Sequence, residues 1–133
     1  VNGHAFGAGA MTAISNDFRV MRGDRGFFSL PEVKLNMPFT VGMNALVSTR
    51  LSNQAAVATM TTGDRIAGPD AQALGIVDAT ADGDGLVAAA VARAGGLASN
   101  RGPAIARIKA DLHAPIITAL TTPNTPENLK FGG

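Results

Sequence analysis

The chain has no cysteine among its 133 residues. It can form neither a disulfide nor a thiolate metal site, and a reducing compartment, by default the cytoplasm, is the expected setting. It also lacks a surplus of either charge: 11 Lys and Arg stand against 10 Asp and Glu, a net charge of +1. Neutralising phosphates takes clustered cations, so no nucleic-acid partner is expected. No apolar run approaches the ~18 residues of a membrane span, and Val1-Asn2-Gly3-His4 has none of the charged-then-apolar character of an export signal. A soluble protein with no membrane partner is expected. No serine sits in a G-x-S-x-G elbow, which argues against a serine hydrolase. The two histidines, His4 and His113, lie far apart with no carboxylates at ligand spacing, so no metal site is expected. What the chain does have, 46% apolar and 16% charged residues, allows one domain with a sizeable core.

Along the chain, Gly3, Gly7 and Gly9 in GHAFGAG lead into Ala10-Met11-Thr12-Ala13-Ile14, which predicts a tight turn feeding a short helix. Asp17 to Met21 alternates like a half-buried strand, Arg22 to Gly26 reads as a turn, and Phe27 to Leu30 as extended chain. Phe27 to Phe39 is the most apolar stretch, and Pro31 and Pro38 make it buried but irregular. From Val41 the spacing turns helical, with breaks near Ser52-Asn53 and at Gly63; further helices are predicted within Ile66–Val77, over Leu86–Leu97 and over Pro103–Leu112. Thr121 to Gly133 has the composition of a solvated, flexible tail.

Two features could carry chemistry. The first amides of a helix have no internal partners, and its dipole is positive there, so the Gly-rich turn offers the amide of Ala8 or Gly9 to an oxygen that becomes negative. A turn merely packed against its neighbours is the alternative. The dinucleotide fingerprint G-x-G-x-x-G does not match this spacing. The second feature is Glu32, one of only two glutamates. It lies between Leu30 and Val33 near Phe27, Phe28, Met37 and Phe39, where lost hydration would disfavour a charged carboxylate and suit it to general-base work. Its alternative is an exposed residue paired with Lys34. A carboxylate base and an amide donor are the two parts needed to take a proton beside a thioester or ketone carbonyl and hold the enolate. Arg22-Gly23-Asp24 reads as a turn rather than an adhesion signal. Asp78, Asp82 and Asp84 lack the closing glutamate of a calcium loop.

The runs VNGHAFGAGAMTAISNDFRVM, FFSLPEVKLNMPF and TGDRIAGPDAQALGIVD resemble, in order and spacing, the enoyl-CoA hydratase/isomerase (crotonase) superfamily, specifically over Val1 to Asp78 and more loosely to His113. The resemblance implies an α/β chain: the rear portion of a ββα superhelix over 1–78, a helical oligomerisation region over 79–120, and the tail 121–133. It implies acyl-CoA substrates, coenzyme A being part of the substrate with no separate cofactor, and a homo-trimer or hexamer. Ala8 matches the second oxyanion-hole amide and Glu32 the more C-terminal of the two catalytic glutamates of hydratases. Gly7, Gly9, Phe6, Met11 and Pro38 are expected to line the substrate site. Met11 stands where hydratases carry their other glutamate, so a single base remains, which fits an isomerase moving a double bond from the 3 to the 2 position. Hydration, another chemistry of the superfamily, or a non-catalytic subunit are the alternatives. The first oxyanion amide and the loop for the adenine end of coenzyme A belong to a front half, and Val1-Asn2-Gly3 resembles the end of an internal strand, so the sequence reads as the rear of a longer protein.

Overall fold

The computed structural model describes residues 1–129. In chain order the elements are β1 (Ala5–Phe6), α1 (Ala8–Ile14), β2 (Val20–Arg22), β3 (Phe27–Ser29), a 3-10 turn (Pro31–Leu35), α2 (Val41–Arg50), α3 (Asn53–Thr62), β4 (Ile66–Ala67), α4 (Gly68–Ala73), β5 (Ala79–Ala81), α5 (Leu86–Gly95), a second 3-10 turn (Ala98–Asn100) and α6 (Pro103–Thr121). The helix starts follow local chemistry. Thr40 and Ser52 cap α2 and α3 by accepting from the amides of Met43 and Ala55 at 3.2 and 3.1 Å, and Pro103 opens α6, where its missing N–H costs nothing.

The strands are short and come from distant parts of the chain. β1 pairs in parallel with β3, with Phe6 opposite Ser29, and β3 pairs antiparallel with β4. A separate parallel pair joins β2 to β5. β5 begins immediately after the 1–78 segment, so the sheet ties the two segments together. Between and behind these strands lie the fully buried side chains Ile14, Met21, Phe28, Leu30, Val47 and Ile76, each contributing roughly 1.5–3 kcal/mol of burial. α1 is held at its end by Arg50, whose Nε and Nη2 donate to the carbonyls of Ile14 and Asn16 at 3.0 and 2.6 Å.

Several predicted boundaries move. The strand expected over Asp17–Met21 is Val20–Arg22, and Ile66–Ala67 pairs with β3 before α4 begins. α5 stops at Gly95, before Leu97. Within Phe27–Phe39, Val33 and Leu35 are 46% and 61% exposed because the 3-10 turn leaves only its Glu32 face against the body, and Met37, just past the turn, is 54% exposed. α6 runs past Leu112 and through Pro115 to Thr121. The proline removes one helix bond, but the following turn buries Ile116 against the core and continues along α2, and tertiary packing outweighs the local penalty. The proposed tail thus begins at the last residue of α6, and its positions 130–133 lie outside the described residues.

α2 and α6 touch at Gly42, where an added Cβ would meet the Leu120 Cα at 2.8 Å and the Ala119 carbonyl at 3.1 Å. The Leu120 side chain, 3.0 Å away at Cδ2, could shift, but the two backbone contacts could not. Gly42→Ala is therefore expected to push α6 outward and to cost about 1–3 kcal/mol, read as a lowered denaturation midpoint.

Candidate active site

β1 ends at Phe6 and the chain turns into α1 through Gly7, whose φ of 50° and ψ of −115° lie where side chains other than hydrogen are strained. Gly7 has no side chain to cap the helix. The first helical bond is from the Met11 amide to the Gly7 carbonyl at 3.0 Å, so the amides of Ala8, Gly9 and Ala10 precede any intrahelical acceptor. The Gly7 amide itself donates to the Ser29 carbonyl at 3.0 Å. Ala8 and Gly9 are exposed, and an added Cβ at Gly9 would meet open space.

Glu32 sits on the 3-10 turn that follows β3. Pro31 occupies the first position, and the turn closes when the Met37 amide donates to the Glu32 carbonyl at 2.9 Å. The Glu32 side chain is only 5% exposed. Its Oε2 is buried with no hydrogen-bond partner among the described residues, and its Oε1 lies 3.8 Å from where a Cβ on Gly7 would stand. The alternative of an exposed Glu32 paired with Lys34 does not hold: Lys34 turns outward and its Nζ meets Asp64 Oδ1 at 2.7 Å. The structure thus aims at the glycine turn a buried carboxylate, one oxygen of which has no partner among the described residues.

Two clefts flank the Glu32 turn. One, of about 460 Å³, is lined by Phe6, Ser29, Pro31, Lys34, Gly63 and Arg65, with the Arg65 guanidinium 5.5 Å from the Phe6 ring centre. The other, about 240 Å³, is lined by Val33, Asn36, Met37, Pro38, Phe39 and Met60. Of the residues expected at the substrate site, Gly7 stands beside Glu32 with Ala8 next to it in the chain, Phe6 and Pro38 open into different clefts, and Met11 is half-buried, packed on the core and lining neither cleft. Ser29 escaped notice in the sequence. A hydroxyl inside the strand between Phe28 and Leu30 was the available signal, since a buried polar group needs a partner.

The features set aside in the sequence have structural duties. Asp78 accepts from the Arg19 amide at 2.6 Å and from Arg93 Nη2 at 3.3 Å, and no group of carboxylates and histidines that could hold a metal occurs among the described residues. His4 stacks on Phe27, with ring centres 5.7 Å apart. Arg22 binds Asp24 within their turn and holds that carboxyl down at about 2. Because the folded value is depressed, the pair's contribution is present above the ordinary carboxylate value near 3.9 and is lost as pH falls toward 2. Arg22→Met is expected to return the Asp24 titration to the ordinary range, observed by carboxyl NMR.

Residues 1–131 match the sequence model of the enoyl-CoA hydratase/isomerase family. Over 118 residues the chain is 36% identical to enoyl-CoA delta isomerase 3 of Arabidopsis thaliana, covering 85% of this chain and 50% of that protein. Over 94 residues it is 37% identical to the same plant's enoyl-CoA delta isomerase 2, peroxisomal, covering 68% and 39%. Among solved structures, a probable enoyl-CoA hydratase of Mycobacterium tuberculosis superposes with a TM-score of 0.80 at 25% identity, covering 90% of this chain and 50% of that one. An enoyl-CoA hydratase subunit of Geobacillus kaustophilus gives 0.70 at 30% identity, covering 88% and 45%. The chain spans half or less of the length of these relatives.

Proposed function

Because the chain belongs to the enoyl-CoA hydratase/isomerase family and carries the rear portion of its α/β crotonase-type fold, we propose that the whole protein is an enoyl-CoA isomerase that moves the double bond of a 3-enoyl-CoA to the 2 position. One observation carries the proposal: Glu32 is buried, its Oε2 lacks a partner among the described residues, and its Oε1 faces the Gly7 turn. In the proposed reaction Glu32 takes a proton from C2 of the thioester. The enolate oxygen is held by the Ala8 amide and by a second amide from the part of its relatives' length that this chain does not span. Glu32 then returns the proton to C4, so one carboxylate serves both halves of the reaction.

Hydration is the second reading, and Met11 weighs against it. A hydratase is expected to direct one water with two carboxylates, whereas the thioether at Met11 can neither accept nor release a proton. The chain's other glutamate, Glu127, lies beyond the end of α6. The deciding experiment gives the intact protein 3-enoyl and 2-enoyl thioesters. Conversion of the first to 2-enoyl product without uptake of water supports isomerisation. Formation of a 3-hydroxyacyl product from the second would replace it with hydration, and turnover of neither would favour a non-catalytic subunit.

The trimer or hexamer belongs to the same proposal. Between Leu86 and Ile116 no residue is buried, and Val87, Val91, Ile108 and Leu112 are all more than half exposed, which supports α5 and the first half of α6 as a contact surface between copies. No helix among the described residues is long and apolar enough to cross a membrane. The cytoplasmic setting is likewise proposed, with fractionation of the native protein as its check.

A further inference from the structure

Ser29 is 3% exposed, set between the fully buried Phe28 and Leu30. Its two polar groups point to different segments. The carbonyl accepts the Gly7 amide at 3.0 Å and so holds the turn that opens α1. The hydroxyl donates to the carbonyl of Gly63 at 3.1 Å, at the end of α3. The chain then runs directly from Ser29 through Leu30 and Pro31 to Glu32. Three separate segments meet at this one residue.

The Gly63 turn also packs against the two residues that follow Glu32. An added Cβ at Gly63 would stand 3.1 Å from Val33 Cγ1 and 3.2 Å from Lys34 Cγ, so any movement of Gly63 is passed to the 3-10 turn. A second tether, Lys34 to Asp64 at 2.7 Å, is more than half exposed at both side chains and is weakened by water and salt. The buried Ser29 hydroxyl bond is the less screened of the two tethers.

We propose that Ser29 is a positioning residue for the proton transfer: by holding Gly63 with its hydroxyl and Gly7 with its carbonyl, it fixes the Glu32 carboxylate at its distance from the Gly7–Ala8 turn. This rests on the isomerase reading of the site. Proton transfer is steep in distance, and a displacement near 1 Å is worth about 10²-fold in rate.

The test measures Ser29→Ala and Ser29→Thr in the intact protein with a 3-enoyl thioester, each also combined with Glu32→Gln. Ser29→Ala is expected to lower kcat by tenfold or more with KM within about twofold of the parent. Ser29→Thr, which keeps the hydroxyl, restores most of the rate, and Ser29→Ala costs little further once Glu32 is already glutamine, because both act through one group. A kcat within twofold of the parent, a change confined to KM, or a full additional loss in the Glu32→Gln background would overturn the proposal. If the parent protein turns over no enoyl thioester, the isomerase reading fails by itself. The positioning claim is then decided by amide exchange at Gly7 and the carboxyl NMR signal of Glu32: Ser29→Ala should speed exchange at least tenfold and shift the signal, and no change in either sinks it.

Discussion

Glu32→Gln in the intact protein is expected to cut conversion of a 3-enoyl thioester by about 10²–10⁴-fold, the range that one well-placed proton-transfer group supplies. The substitution preserves volume and removes only the ability to take and return a proton. Its effect on stability should have the opposite sign. A buried carboxylate with an unpaired oxygen is a cost that the folded chain carries, and a neutral amide is cheaper to leave without partners. The variant should therefore melt at or above the parent's temperature while losing its turnover. Glu32→Asp, which draws the carboxylate back by about one bond, should fall between the two. Steady-state kinetics and thermal denaturation on the same preparations make the comparison, and a glutamine variant with parental turnover would remove Glu32 from the reaction.

Gly7→Ala is expected to produce the second large effect, by a different route. Space is not the obstacle, since a methyl at this position would stand 3.8 Å from Glu32 Oε1, an ordinary contact. The backbone is the obstacle: φ of 50° with ψ of −115° costs a residue with a side chain about 1–3 kcal/mol. The turn should relieve that strain by rotating, which reorients the Ala8 amide that follows it. A fall in kcat/KM of about 10²-fold together with a lowered denaturation midpoint is the expected pair of results. Loss of stability with unchanged kcat/KM would mean that the amide plays no part.

The glycine turn and Glu32 were legible in the sequence because each is a local exception. Glycines clustered at a helix start and a lone acid in the most apolar stretch both break the surrounding pattern, and the expected helix start and the buried acid are both present. The exposure of Val33, Leu35 and Met37 was not legible. Composition says that a segment is apolar, but which face of a 3-10 turn meets the body depends on where α3 ends, a long-range fact. The continuation of α6 through Pro115 was hidden for a similar reason: its support comes from α2, more than sixty positions earlier in the chain. Ser29 lay between these cases, since its burial could be inferred from its neighbours but its partner, Gly63, could not.

The parallel pairing of β2 with β5 brings Val20 opposite Ala79, with α2, α3 and α4 strung between them. Because β3 also meets β4 and α2 meets α6, every contact of this kind spans the short connection from α2 to α3. Severing the backbone at that connection would leave two fragments still clasped by three independent seams, so continuity of the chain is needed to assemble this molecule far more than to keep it assembled.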